Sequence, residues 1–166
     1  MLIGATNEEK IWNFFKSKGL NDYACAGILG NANAESGLKP NNLQDTYQRK
    51  LNMTDEEYTS SVDAGTYHNF VGDSAGYGLA QWTFWTRKQN LLDFAVSTER
   101  SIGNCKMQLE FLMKELKESY KSVYTTLCNA TSVLEASNSV LLKFERPADQ
   151  SESHGQHLCS QNPCFQ

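Results

Sequence analysis

Glu35 is the residue whose setting points most directly to chemistry. It closes a run from Tyr23 to Ala34 that contains no charged residue and must be largely buried if it is helical. Burial disfavours an ionised carboxylate, and so does the negative end of a helix macrodipole; both favour a carboxylic acid that keeps its proton. Such an acid is what general acid catalysis at neutral pH requires. The competing reading is a glutamate whose side chain turns to solvent at a frayed helix end.

A second constellation follows some forty residues later, in Gly76-Tyr77-Gly78-Leu79-Ala80-Gln81-Trp82. Two glycines let backbone approach a ligand closely, and the Gln81 amide offers both a donor and an acceptor. The flat rings of Tyr77 and Trp82 suit the faces of sugars. Trp82 and Trp85 also fit a core position at the start of a helix, and Trp85 is balanced between core and ligand-facing roles. Arg87 and Lys88 read as solvated or paired side chains.

These residues need elements to hold them. Thr6-Asn7-Glu8-Glu9 has capping-box spacing, and Ile11, Trp12, Phe14 and Phe15 form a helical stripe, which predicts a first helix near 7–18. Asn21 or Asp22 caps a second that ends around Glu35-Ser36-Gly37, with Pro40 barring continuation. Thr54-Asp55-Glu56-Glu57 opens a short third helix closing at Ala64-Gly65. Between Thr66 and Leu79 the spacing of Tyr67, Phe70 and Val71 around a glycine-rich loop predicts a β-hairpin. Helices resume from Thr83 or Thr86 to Ser97, from Asn104 to Glu118, and from Ser132 to Phe144, the last stopped by Pro147. The expected class is α+β, mostly α, with six or seven helices and one small hairpin.

Length and composition bound the rest. The chain has 166 residues, 40% hydrophobic and 20% charged, which suits one globular domain. No apolar run reaches the ~20 residues of a membrane span, and the first residues lack the basic and apolar regions of a Sec-type signal. The net charge of −4 comes without a basic stripe, so no nucleic-acid partner is expected. Cys25, Cys105 and Cys128 lie in apolar helical patterns and read as small buried thiols. Cys25 with His68 as a wall peptidase dyad is a rival reading, disfavoured because nothing electropositive adjoins Cys25. His154, His157, Cys159 and Cys164 match no familiar zinc spacing, so no metal and no cofactor is expected.

Glu35-Ser36-Gly37 followed by Gly-x-Gly-Leu-x-Gln resembles the paired signature of soluble lytic transglycosylases and goose-type lysozymes. The wider string is similar to the phage tail lysozyme family: Ala26-Gly27-Ile28-Leu29-Gly30-Asn31, Glu35-Ser36-Gly37-Leu38, Pro40-Asn41-Asn42-Leu43-Gln44, Tyr77-Gly78-Leu79-Ala80-Gln81-Trp82-Thr83, Arg87-Lys88 and Phe144-Glu145-Arg146-Pro147. The resemblance implies a lysozyme-like domain over 7–150 that cleaves peptidoglycan glycan strands, with Glu35 as general acid. It also implies that Gln81, Tyr77, Gly78, Trp82 and Asn42 bind the sugars. The tail over 151–166 departs from the family, where a further helix is expected.

A hydrolase of this kind needs a second carboxylate, as a base for water or as a nucleophile, according to its stereochemistry. Asp73 is the first candidate, ahead of Asp45 and Asp63, although an Asx-turn role for Asp73 weighs equally. A lytic transglycosylase needs none, because the substrate's own C6 hydroxyl attacks; both mechanisms stay open, as does a non-catalytic wall-binding module. The expected site of action is the cell wall, reached on a virion tail, as part of a larger tail protein or as a released endolysin.

Overall fold

The computed structural model describes residues 1–145. Arg146, the stop at Pro147 and the tail over 151–166 with its histidines and Cys159 and Cys164 lie outside the described residues. The chain divides into two units: Met1–Leu38 with the residues from Met113 onward, and Lys39–Leu112. Among the described residues the structure is mostly helical, and none of the helices is long and apolar enough to cross a membrane.

The first unit is built around a helix that is apolar on nearly every side. Helix α1 (Asn7–Ser17) starts at the expected capping box of Thr6 and Glu9 and buries Ile11, Phe14 and Phe15. Helix α2 (Asp22–Ser36) is capped by Asn21, whose side chain accepts from the Ala24 N–H, and buries ten residues. So uncharged a helix is stable in water only if neighbours cover it. Its neighbours are α1, α7 (Lys121–Cys128) and, above all, α8 (Val133–Ser139) with the π-helical segment Val140–Glu145 that continues it. Gly27 makes the α2–α8 approach possible: a Cβ there would lie 2.7 Å from the Cβ of Ala136 and from the backbone nitrogen of Ser137. Asn31, fully buried, donates from Nδ2 to the carbonyls of Gly27 (2.8 Å) and Ser137 (3.1 Å) and so ties the two helices together.

The second unit holds α3 (Asp45–Leu51), α4 (Asp55–Asp63), α5 (Trp85–Ser97) and the first part of α6 (Cys105–Glu118), which ends in the first unit. Its core gathers Tyr58, Phe70, Tyr77, Trp82, Leu91 and Phe111. The hairpin expected over Thr66–Leu79 does not form. Instead of two strands, Tyr77 alone makes single antiparallel bridges to Leu43 and to Trp82. Phe70 and Tyr67 turn towards the ring of Tyr58 rather than alternating across a ladder, which removes the side-chain register a hairpin needs. Helices α3 and α7 went unread in the sequence. Helix α3 buries no residue and α7 buries Val123 and Leu127, too little apolar surface for a visible stripe.

Candidate functional site

Glu35 sits one residue before the end of α2, and the way that helix stops fixes where it stands. Gly37 takes the left-handed conformation at φ 59° and donates its N–H to the Asn33 carbonyl at 2.8 Å, so the chain leaves the helix sharply. Asn7 then holds the outgoing chain by donating from Nδ2 to the Leu38 carbonyl at 2.9 Å. Ser36 is buried and donates to the Ala32 carbonyl, while Asn33 and Ala34 are exposed; Glu35, between them, is half-buried. A carboxyl group there has an apolar helix behind it and reaches solvent.

In the second unit, Tyr77–Trp82 is a tight reversal closed by backbone bonds from Tyr77 N–H to Trp82 O (3.2 Å) and from Trp82 N–H to Tyr77 O (2.9 Å). Gly78 turns it at φ 79°, and a Cβ there would meet the Gln108 amide at 2.8 Å. Gly78 therefore serves close packing against Gln108, whose Oε1 accepts the Leu79 N–H at 2.9 Å. Gln81 is held at φ 46°, a left-handed backbone that costs a side-chain-bearing residue about 1 kcal/mol. Its Nε2 donates to Asn42 O (3.1 Å), Asn42 Oδ1 (3.0 Å) and Gly78 O (3.0 Å). The structure thus brings Asn42, Gly78 and Gln81 together. Among the described residues no donor reaches Gln81 Oε1, and Asn42 Nδ2 has no acceptor, so one acceptor and one donor stay available for a polar ligand.

Tyr77 and Trp82 are corrections to the expected site. Both side chains are 0% exposed. Tyr77 packs on Tyr58 and Phe70 and shares a 2.6 Å hydrogen bond with Thr59, and Trp82 packs on Phe111. Neither ring can cover a sugar; they are the floor beneath the turn.

Asp73 is a second correction. Its Oδ1 accepts the Ala75 N–H at 2.9 Å, the Asx-turn bond, and pairs with Lys88 Nζ at 2.6 Å. Its Oδ2 accepts from Tyr58 (2.6 Å) and Tyr67 (2.9 Å) hydroxyls. With four donors on the carboxylate and its side chain 2% exposed, Asp73 lacks the open approach that a base for water or a nucleophile requires. Its partner Lys88, which also donates to the Ala75 carbonyl at 2.7 Å and lies over the Phe70 ring, is fully buried. Burial lowers the pKa of Lys88 from its ordinary 10.5, and the bond to Asp73 works against that shift.

Lys88, Gln108 and Gln44 were missed as site-building residues, and two of them carried a signal. Lys88 falls three and seven residues before Leu91 and Ala95, on the buried stripe of α5. Gln108 lies among Met107, Phe111 and Leu112 on the apolar side of α6. A polar group on such a stripe must be satisfied internally. Gln44 accepts the Gly76 N–H at 3.0 Å from a loop with no comparable pattern.

The thiol alternative loses support. Burial pushes the Cys25 thiol up to about 11, away from the thiolate a nucleophile needs. Cys128, expected to be buried, is exposed at the end of α7.

A family model described as phage tail lysozyme matches residues 6–159 of the chain. No curated protein matches it.

Proposed function

The chain belongs to the phage tail lysozyme family, and from that premise we propose that it cleaves peptidoglycan glycan strands between N-acetylmuramic acid and N-acetylglucosamine, with Glu35 as general acid. The observation that carries the role of Glu35 is its place, half-buried at the sharply terminated end of a helix without a charge from Tyr23 to Ala34. The Glu35 carboxyl gives its proton to the leaving glycosidic oxygen as the bond from that oxygen to the anomeric carbon breaks, and the oxygen of a water molecule takes its place on that carbon. Gln81 and Asn42, fixed by their mutual hydrogen bonds, orient hydroxyl or acetamido groups of the strand. Asp73 holds the preceding loop and does no chemistry. The domain extends over 7–150, and it acts on the wall from a virion tail, within a larger tail protein, or as a released endolysin.

A second mechanism gains from the enclosure of Asp73. With that carboxylate engaged, the reaction that needs no second carboxylate is a lytic transglycosylation: the C6 hydroxyl attacks the anomeric carbon, its proton passes to the Glu35 carboxylate, and no water is consumed. Mass spectrometry of digested, purified peptidoglycan tests both. Glycan fragments with intact stem peptides are expected. Reducing ends identify a hydrolase and 1,6-anhydro ends a transglycosylase, whereas cut stem peptides with intact glycan would overturn the proposal.

A further inference from the structure

The burial of Tyr77 and Trp82 leaves the amide pair Asn42–Gln81 without an aromatic face, and the same stretch of chain supplies one. Phe84 and Trp85, three and four residues beyond Gln81, are 63% and 58% exposed. Their ring centroids lie 6.5 Å apart at an interplanar angle of 35°. Isolated exposed apolar side chains are ordinary, and among the described residues Val96 and Leu134 are exposed singly in this way. Two large neighbouring rings form a surface of a different kind.

Helix formation does not explain them. Phe84 occupies the N-cap of α5 and makes no side-chain capping bond, at a position where serine, threonine, asparagine or aspartate is preferred. Thr83, which has the right chemistry, instead donates its hydroxyl to the Gln81 carbonyl at 2.9 Å, fastening the turn to the segment that carries the rings. The rings are therefore held next in sequence to a fixed amide pair that keeps one free acceptor and one free donor.

We infer that Phe84 and Trp85 form the aromatic platform of a glycan-binding subsite, stacking on the sugar rings of a strand whose polar substituents are read by Gln81 and Asn42. An N-acetylated saccharide matches both parts: its apolar C–H face covers an aromatic ring, and its acetamido group both donates and accepts. This inference rests on the proposed glycan substrate, though not on the role of Glu35.

The test uses the full chain carrying Glu35→Gln, so that ligand survives, titrated separately with peptide-free glycan strands and with isolated stem peptides. Iodide quenching of tryptophan fluorescence reads the platform, because of the three tryptophans Trp82 is buried, Trp12 half-buried and Trp85 exposed. Glycan strands are expected to shield the fluorescence and stem peptides to leave it unchanged. Trp85→Phe keeps a ring and should bind within a few-fold of the parent while losing the shielding signal. Trp85→Ala and Phe84→Ala should each weaken glycan binding roughly tenfold, about 1.4 kcal/mol, at an unchanged melting temperature. Shielding that survives Trp85→Phe, affinity unchanged by either alanine, or binding of stem peptides alone would overturn the platform. Glycan binding by a wild-type chain, Glu35 intact, that does not cleave glycan would defeat the proposed function and leave the platform standing.

Discussion

Asp73 and Lys88 meet at 2.6 Å with their side chains 2% and 0% exposed, and that burial decides what replacing either will do. Removing one partner of a buried pair strands the other charge, which costs about 3 kcal/mol or more. Asp73→Asn is therefore expected to lower the melting temperature by several degrees while turnover, measured well below the transition, stays within a few-fold of wild type. Thermal denaturation followed by circular dichroism, beside rates on purified peptidoglycan, checks this. A loss of roughly 10²-fold in rate at unchanged stability would restore Asp73 to the chemistry. Residue types alone left its two roles balanced, because an Asx turn and an accessory acid demand the same side chain. What separates them is the convergence of Tyr58, Tyr67 and Lys88, which are distant from one another in sequence.

At the scale of elements, close approach between helices rests on single positions. Gly27→Ala places a methyl group 2.7 Å from Ala136 Cβ and from Ser137 N, one of them backbone, so α2 and α8 must separate. A destabilisation of about 2 kcal/mol is expected, measured by denaturant unfolding, and an unchanged midpoint would contradict the packing described. The aromatic floor under the Tyr77–Trp82 turn predicts alkaline behaviour. Burial, reinforced by the Asp73 hydrogen bonds, raises the pKa of Tyr58 and Tyr67 above their ordinary 10.0, and burial raises Tyr77 against the effect of its bond to Thr59. The folded chain holds these protons where the unfolded chain releases them, so their contribution to stability is complete below pH 10 and lost as pH rises beyond it. In a spectrophotometric titration these three of the seven tyrosines should ionise together with unfolding. Smooth ionisation of all seven in a folded chain would contradict this. Helix α1, with a cap and an apolar stripe, and α2, with a cap and a long uncharged run, were legible because local pattern and tertiary packing agree there. The hairpin was misread because Tyr67, Phe70 and Tyr77 mimic strand spacing while each answers to the Tyr58 cluster.

For the whole molecule, the family match across residues 6–159 agrees with the resemblance read from the motifs of the sequence, and the described residues are mostly helical. The motif Gly76–Trp82 was legible as a unit, but the division of labour within it was not. From Tyr77 to Trp82 every residue is buried except Gln81, which is half-buried, so the rings of Tyr77 and Trp82 lie inward and the amide of Gln81 stays in reach of solvent. The central claim is that Glu35 supplies the proton. Its most direct test is the rate of glycan cleavage in purified peptidoglycan by Glu35→Gln, whose amide is near-isosteric and cannot act as the acid. The account predicts a loss of roughly 10²-fold or more with an unchanged melting curve, and a folded variant cleaving within a few-fold of wild type would contradict it.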